Sequence, residues 1–125
     1  MNDIATLAEL SPIQVWDRIR ARRVEGERIT LAIVELEPNA VAPEHRHPHE
    51  QLGLVLSGRM TFRVGSEERV LEAGGTWRIL GDVPHSAVAG PEGAVCIDVF
   101  NPPRRDWDER PELDRSDPVW PSVAS

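Results

Sequence analysis

The chain has 125 residues, 40% of them hydrophobic and 28% charged, and a net charge of −7. This is the length of one domain with the composition of an ordinary globular protein, and its acidity argues against nucleic acid or an anionic membrane as partner. No lysine or tyrosine occurs and Cys96 is the only cysteine, which excludes Schiff-base and P-loop chemistry, tyrosyl acid–base or radical chemistry, an intrachain disulfide and a multi-cysteine zinc site.

Residues 1–28 read as a mixed lead-in. Asp3 and Glu9, with no basic start and no long apolar run, do not fit a signal peptide. No stretch approaches the ~18 apolar residues of a membrane span, so a cytoplasmic protein is expected. Asp3 to Leu10 suits one or two helical turns ended by Ser11-Pro12, and Ile13, Val15 and Arg18-Ile19-Arg20 suit an edge strand. The arginines from Arg18 to Arg28 are most simply a solvated face; an anion-binding rim is the sharper alternative.

Residues 29–100 are strand and turn throughout. The runs are Ile29 to Leu36, Leu52 to Leu56, Met60 to Val64, Arg69 to Leu71, Trp77 to Leu80, Ser86 to Ala89 and Ala94 to Phe100. Turn signals separate them at Pro38-Asn39, Ser57-Gly58, Gly65-Ser66, Gly74-Gly75, Gly81-Asp82, Gly90-Pro91 and Gly93. Many short strands at close spacing predict an all-β sandwich or barrel. Leu31, Ile33, Leu54, Leu56, Phe62, Val70, Ile79 and Ile97 are the expected core, while Trp16 and Trp77 either line a pocket or fill it. Residues 101–125 hold five of the eleven prolines. Trp107 and Trp120 favour a segment folded back on the barrel over a tail disordered after about Asp114.

Three of the four histidines fall within the run His45-Arg-His47-Pro-His49-Glu50-Gln51. In an extended strand His45 and His47 project to one face, where two imidazoles can share a metal. A jog at Pro48 lets Gln51 return to that face, and His85 follows Val83-Pro84 on a later strand, as a site assembled from two hairpins requires. The competing reading is a surface patch of histidines. On the last strand Asp98 and Phe100 share parity. An inward carboxylate is costly without a partner, and with a raised pKa it can serve as acid or base. Arg104, just past Pro102-Pro103, can fold over the mouth and grip a carboxylate. The bland alternative is Asp98 salt-bridged to an arginine at the barrel edge.

These residues resemble the cupin family, whose motifs read G-x5-H-x-H-x3,4-E-x6-G and G-x5-P-x-G-x2-H-x3-N. The first corresponds to Asn39, His45, His47, Gln51 and Gly58. The second corresponds to Gly74, Leu80, Gly81, Asp82 and His85, with Ala89 in place of the asparagine. The resemblance covers about residues 29–100. It implies a double-stranded β-helix (jelly-roll barrel) holding one divalent metal ion (zinc, nickel, manganese or iron), with His45, His47, Gln51 and His85 as ligands. Gln51 is favoured over Glu50, which has the opposite strand parity; His49 is a further candidate ligand. A neutral amide in the glutamate's place leaves the full charge on the metal, favouring Lewis-acid work over oxygen activation.

The His-x-His-Pro-His-Glu-Gln cluster, the Leu-Ser-Gly turn and the Asp-Val-Phe-x-Pro-Pro-Arg ending look like the small pectin-degradation cupins of the KdgF type. That resemblance implies opening of 4,5-unsaturated uronate monosaccharides to linear 4-deoxy keto acids. Asp98 would be the acid/base, Phe100 the wall and Arg104 the carboxylate binder. The partner would be a carboxylated sugar, and the family implies a homodimer. The alternatives are a non-enzymatic sugar- or ligand-binding cupin and a metal-dependent oxygenase.

Overall fold

The computed structural model describes residues 3–121. It contains strands β1 (Ile13–Trp16), β2 (Ile19–Glu25), β3 (Thr30–Leu36), β4 (Val41–His45), β5 (Glu50–Val64), β6 (Glu67–Leu71), β7 (Thr76–Ile79) and β8 (His85–Asn101). Two short 3-10 turns, Leu7–Glu9 and Arg105–Glu109, are the only helical elements among the described residues. The strands form one eight-stranded sheet along the path β1-β2-β3-β8-β5-β6, with β4 on β8 and β7 on β5. Every pairing is antiparallel. The all-β expectation is met.

Three of the turn signals do not end strands. β5 runs through Ser57-Gly58 and β8 runs through Gly90 to Gly93, so each is one long bent strand where two short ones were expected. Bulges between Val55 and Ser57 and between Gly58 and Met60 bend β5 without ending it. Gly58 has φ +81, and a Cβ there would collide with the Gly93 carbonyl oxygen. The glycine therefore marks a close backbone approach at the barrel corner. Asn39, which stands where the family motif has glycine, takes φ +61, an angle that asparagine tolerates.

The interior is built by Ala32, Val34 and Leu36 of β3, Val55, Met60 and Phe62 of β5, and Ala87, Ala89 and Cys96 of β8. This corrects the expected core. Phe62 and Ile79 lie inside, but Leu31, Leu54, Leu56 and Ile97 are only half-buried and Val70 is 59% exposed. Ile33 is buried yet lies outside the interior cluster. β3 and much of β5 are apolar on both faces, so alternation gave no parity to read.

The arginine run also departs from a solvated face. Arg22 is 1% exposed, and its Nη1 donates to Glu35 Oε2 at 2.8 Å. Arg20 Nε reaches Glu35 Oε1 at 2.9 Å. The C-terminal segment crosses this spot: Arg22 Nη2 donates to the Ser116 carbonyl at 2.6 Å, and the Val119 amide donates to Glu35 Oε2 at 2.8 Å. Nearer the barrel mouth, Gln14 N–H donates to Pro111 O and Leu113 N–H to Pro12 O, fastening that segment to β1.

Candidate metal centre

One end of the barrel interior is polar. β4 ends at His45, and the short connection to β5 carries His47 and His49. β5 opens with Glu50 and Gln51, and β8 opens with His85, whose register partner is His45. One imidazole nitrogen from each of His45, His47 and His85 lies within 4.8 Å of the other two.

Each ring is oriented by backbone. The Nδ1 atoms face Pro43 O at 2.7 Å for His45, His49 O at 3.1 Å for His47, and Val83 O at 2.9 Å for His85. A carbonyl accepts, so each Nδ1 carries the proton and each Nε2 presents a lone pair. His85 Nε2 is buried without a hydrogen-bond partner among the described residues. His47 Nε2 lies 3.1 Å from Gln51 Oε1, whose amide nitrogen is already donating to Asp98 Oδ1 at 2.9 Å. His47 thus faces two carbonyl oxygens with only one N–H to share between them. A second proton is no remedy at neutral pH, because burial, helped by the charges of Arg104 and the neighbouring histidines, lowers its pKa to about 4. Converging lone pairs with no proton between them fit a cation. The three imidazoles could hold a metal ion, and the Gln51 amide oxygen beside His47 is a donor of a type that could join them.

His45 and His85 are likewise shifted down, chiefly by burial, so all three stand ready to bind metal as neutral imidazoles. The other candidate ligands stand apart. Glu50 is exposed, and neither it nor His49 belongs to the group of converging donors. The His49 ring instead sits edge-on to Phe100 at 6.5 Å, with Nε2 3.8 Å from Asp106 Oδ1.

Asp98 lies inside the barrel, 6% exposed. Its Oδ1 accepts from Gln51 Nε2 at 2.9 Å and from Trp77 Nε1 at 2.7 Å, while the Cys96 thiol approaches Oδ2 at 3.7 Å. Burial raises its pKa, and these three donors oppose the rise. Among the described residues no arginine pairs with it, so the barrel-edge salt bridge is not formed. Arg104 pairs with Asp106 instead, Nε to Oδ1 at 3.1 Å and Nη2 to Oδ2 at 2.9 Å. Its guanidinium carbon lies 4.7 Å from the Phe100 ring centre and 4.4 Å from that of Trp107.

A cavity joins these groups. His45, Gln51, His85, Asp98, Phe100 and Arg104 line it. Trp16, Trp107 and Arg110 also line it. Sequence reasoning assigned Trp16 no definite role and passed over Asp106 and Arg110. The isolated Gly53 within a strand pattern was the available signal for Trp77, since such a glycine often marks a close approach.

An antiparallel barrel with converging histidines at one end of its interior is the architecture of a cupin, with a triad that could hold a metal ion. Residues 32–100 match the cupin domain family (Cupin_2), and the chain belongs to it. It is similar to pectin degradation protein KdgF of Dickeya dadantii (strain 3937), 29% identical over 83 residues that span 66% of this chain and 76% of that one. Among solved structures, KdgF from Halomonas sp. superposes with a TM-score of 0.77 at 26% identity, covering 85% of this chain and 98% of that one. An RmlC-like cupin from Shewanella frigidimarina NCIMB 400 gives a TM-score of 0.79 at 22% identity, covering 85% and 96%, a likeness of fold.

Proposed function

We propose that this cupin acts in the breakdown of pectin-type polysaccharides by opening 4,5-unsaturated uronate monosaccharides to linear 4-deoxy keto acids. The observation that carries the reading is Asp98, a buried carboxyl held against Gln51 beside the histidine triad. The similarity to two KdgF proteins supports it.

His45, His47, Gln51 and His85 are the proposed ligands of one divalent ion; zinc, nickel, manganese and iron all accept such donors. When bound, the ion supplies Lewis-acid polarisation of sugar oxygens. Asp98 carries the proton. As the C1–O5 bond opens, the anomeric hydroxyl loses its proton and becomes an aldehyde oxygen, and the enolate left at C5 becomes a ketone by gaining a proton at C4. A carboxyl with a raised pKa can accept the first and donate the second. Phe100 walls the site, and Arg104 meets the substrate carboxylate from its seat between Phe100 and Trp107.

The test is the loss of ultraviolet absorbance of an unsaturated uronate monosaccharide. Asp98→Asn should slow the chemical step by about 10²–10⁴-fold at unchanged melting temperature and metal content. A wild-type protein that does not accelerate the loss sinks the reading.

A homodimer is part of the proposal. Two apolar rows cross the outer sheet in register, Val24–Leu31–Val99–Leu52 and Ile33–Ile97–Leu54. Leu52 is 47% and Val24 40% exposed. A second copy of the same face would cover them. Light scattering should give twice the chain mass, and Leu52→Glu should return it to one.

A further inference from the structure

Trp77 on β7 pairs in register with Gly53 on β5, and Gly53 pairs in turn with Asp98 on β8. The three form one cross-strand row, with the indole of Trp77 and the carboxyl of Asp98 meeting over the glycine. A Cβ on Gly53 would collide with Trp77 Nε1 and lie 2.5 Å from Asp98 Oδ1. Only glycine at this position leaves the indole N–H its path across β5.

We propose that Trp77 is a positioning residue for the metal site: through Asp98 it fixes which end of the Gln51 amide faces the histidines. The inference rests on reading Gln51 as a metal ligand. An indole N–H donates and never accepts, so the 2.7 Å contact fixes Asp98 Oδ1 as an acceptor. The second donor to that oxygen is Gln51 Nε2 at 2.9 Å. With its nitrogen so occupied, the amide turns Oε1 toward His47, 3.1 Å from Nε2. The opposite orientation would aim an NH₂ group, which has no lone pair to give, at the metal position. Without the indole bond, the Asp98 carboxyl is freer to rotate and exchange its two oxygens, and its hold on the amide loosens. Trp77 is itself held flat against Phe62, with ring centres 4.3 Å apart and planes 14° apart. The order of action runs from indole to carboxylate to amide to metal, and each bond has a fixed donor. Partners of this kind around metal ligands commonly matter 10–100-fold in affinity.

The experiment is titration of the metal-free protein with Co²⁺, read by its visible absorption. Trp77→Phe keeps an aromatic ring against Phe62 but deletes the N–H, and should weaken Co²⁺ binding about 10–100-fold. Site-specific replacement of Trp77 by 3-benzothienylalanine exchanges only the N–H for sulfur. It should show the same loss at unchanged melting temperature of the metal-free protein, which a packing role would not produce. In ¹⁵N NMR spectra of metal-free wild type, the Gln51 side-chain amide protons should be slowed in exchange, and this protection should vanish in both variants. Unchanged Co²⁺ affinity in the benzothienyl protein, with Gln51→Ala still weakening binding, overturns the role of Trp77 alone. Unchanged affinity in Gln51→Ala removes the ligand assignment and the inference with it.

Discussion

Arg104 and Asp106 form a two-point ion pair at the barrel mouth, Nε to Oδ1 at 3.1 Å and Nη2 to Oδ2 at 2.9 Å. Two of the three guanidinium nitrogens are thereby committed, and stacking between Phe100 and Trp107 fixes the plane. Nη1 remains for a ligand oxygen. The sequence suggests an arginine free to fold over the substrate; the structure holds it in place beforehand, which reduces the ordering cost on binding.

Arg104→Ala should therefore weaken binding of a uronate by about 1.5–3 kcal/mol, the range for hydrogen bonds to charged groups. Binding of the matching neutral hexose should change much less. Asp106→Ala should show the same selectivity with a smaller loss, because the cation stays but is no longer aligned. Calorimetric titration with both sugars decides; equal losses for both would reduce Arg104 to a wall.

Protein purified without a tag should contain about one divalent ion per chain by elemental analysis, as one four-donor set requires. His47→Ala should lose it. Glu50→Gln, on an exposed side chain, should leave metal content unchanged, whereas Gln51→Ala should lower it. The reverse pattern would restore a carboxylate ligand and shift the chemistry toward oxygen.

Acid should destabilise the metal-free protein through the triad. His45, His47 and His85 all have folded-state pKa values below the ordinary 6.5, His47 at about 4, chiefly because burial disfavours the charged ring. Their contribution is complete above 6.5 and is lost as pH falls from there through the folded-state values. Asp98, with its pKa raised, has the opposite slope: its contribution is full below 3.8 and lost above it. Comparing wild type with His47→Asn cancels Asp98. Melting temperature should fall more steeply in wild type than in the variant between pH 6.5 and about 4; parallel curves would refute the assignment.

Glu35→Ala should cost about 3–5 kcal/mol, because it leaves the Arg22 guanidinium buried without its counter-charge. It also removes the acceptor of the Val119 amide. Urea unfolding of Glu35→Ala beside Arg22→Met/Glu35→Leu measures this, and the double variant should be the more stable of the two.

The histidine spacing made the triad legible because ligand geometry imposes a local pattern: His45 and His47 two apart, and a distant His85 after a Val-Pro turn. Parity points to Gln51 over Glu50, and the structure turns the Gln51 amide toward His47 while Glu50 is exposed. The core of β3 and the first part of β5 was not legible, since runs such as Leu31-Ala-Ile-Val and Leu52-Gly-Leu-Val are apolar on both faces and a period of two has nothing to alternate. Arg22 was hidden for a different reason. Its burial depends on Glu35 and on Ser116, partners far along the chain, and no local signal announces them. Trp77 lay between these cases, its partner Asp98 being visible but the bridging Gly53 meaningful only once β7, β5 and β8 lie side by side.

β8 is the strand on which the sheet closes: it pairs with β3, β4 and β5, and it comes last. During synthesis, then, the first 84 residues emerge with β3 and β4 lacking the partner that covers their edges. His45 and His47 likewise exist before His85, and Gln51 before Asp98, so no complete donor set precedes the closing strand. Contacts this distant in sequence are slow to form. The nascent chain is exposed until β8 arrives, and the barrel and the histidine site reach their finished form in the same step.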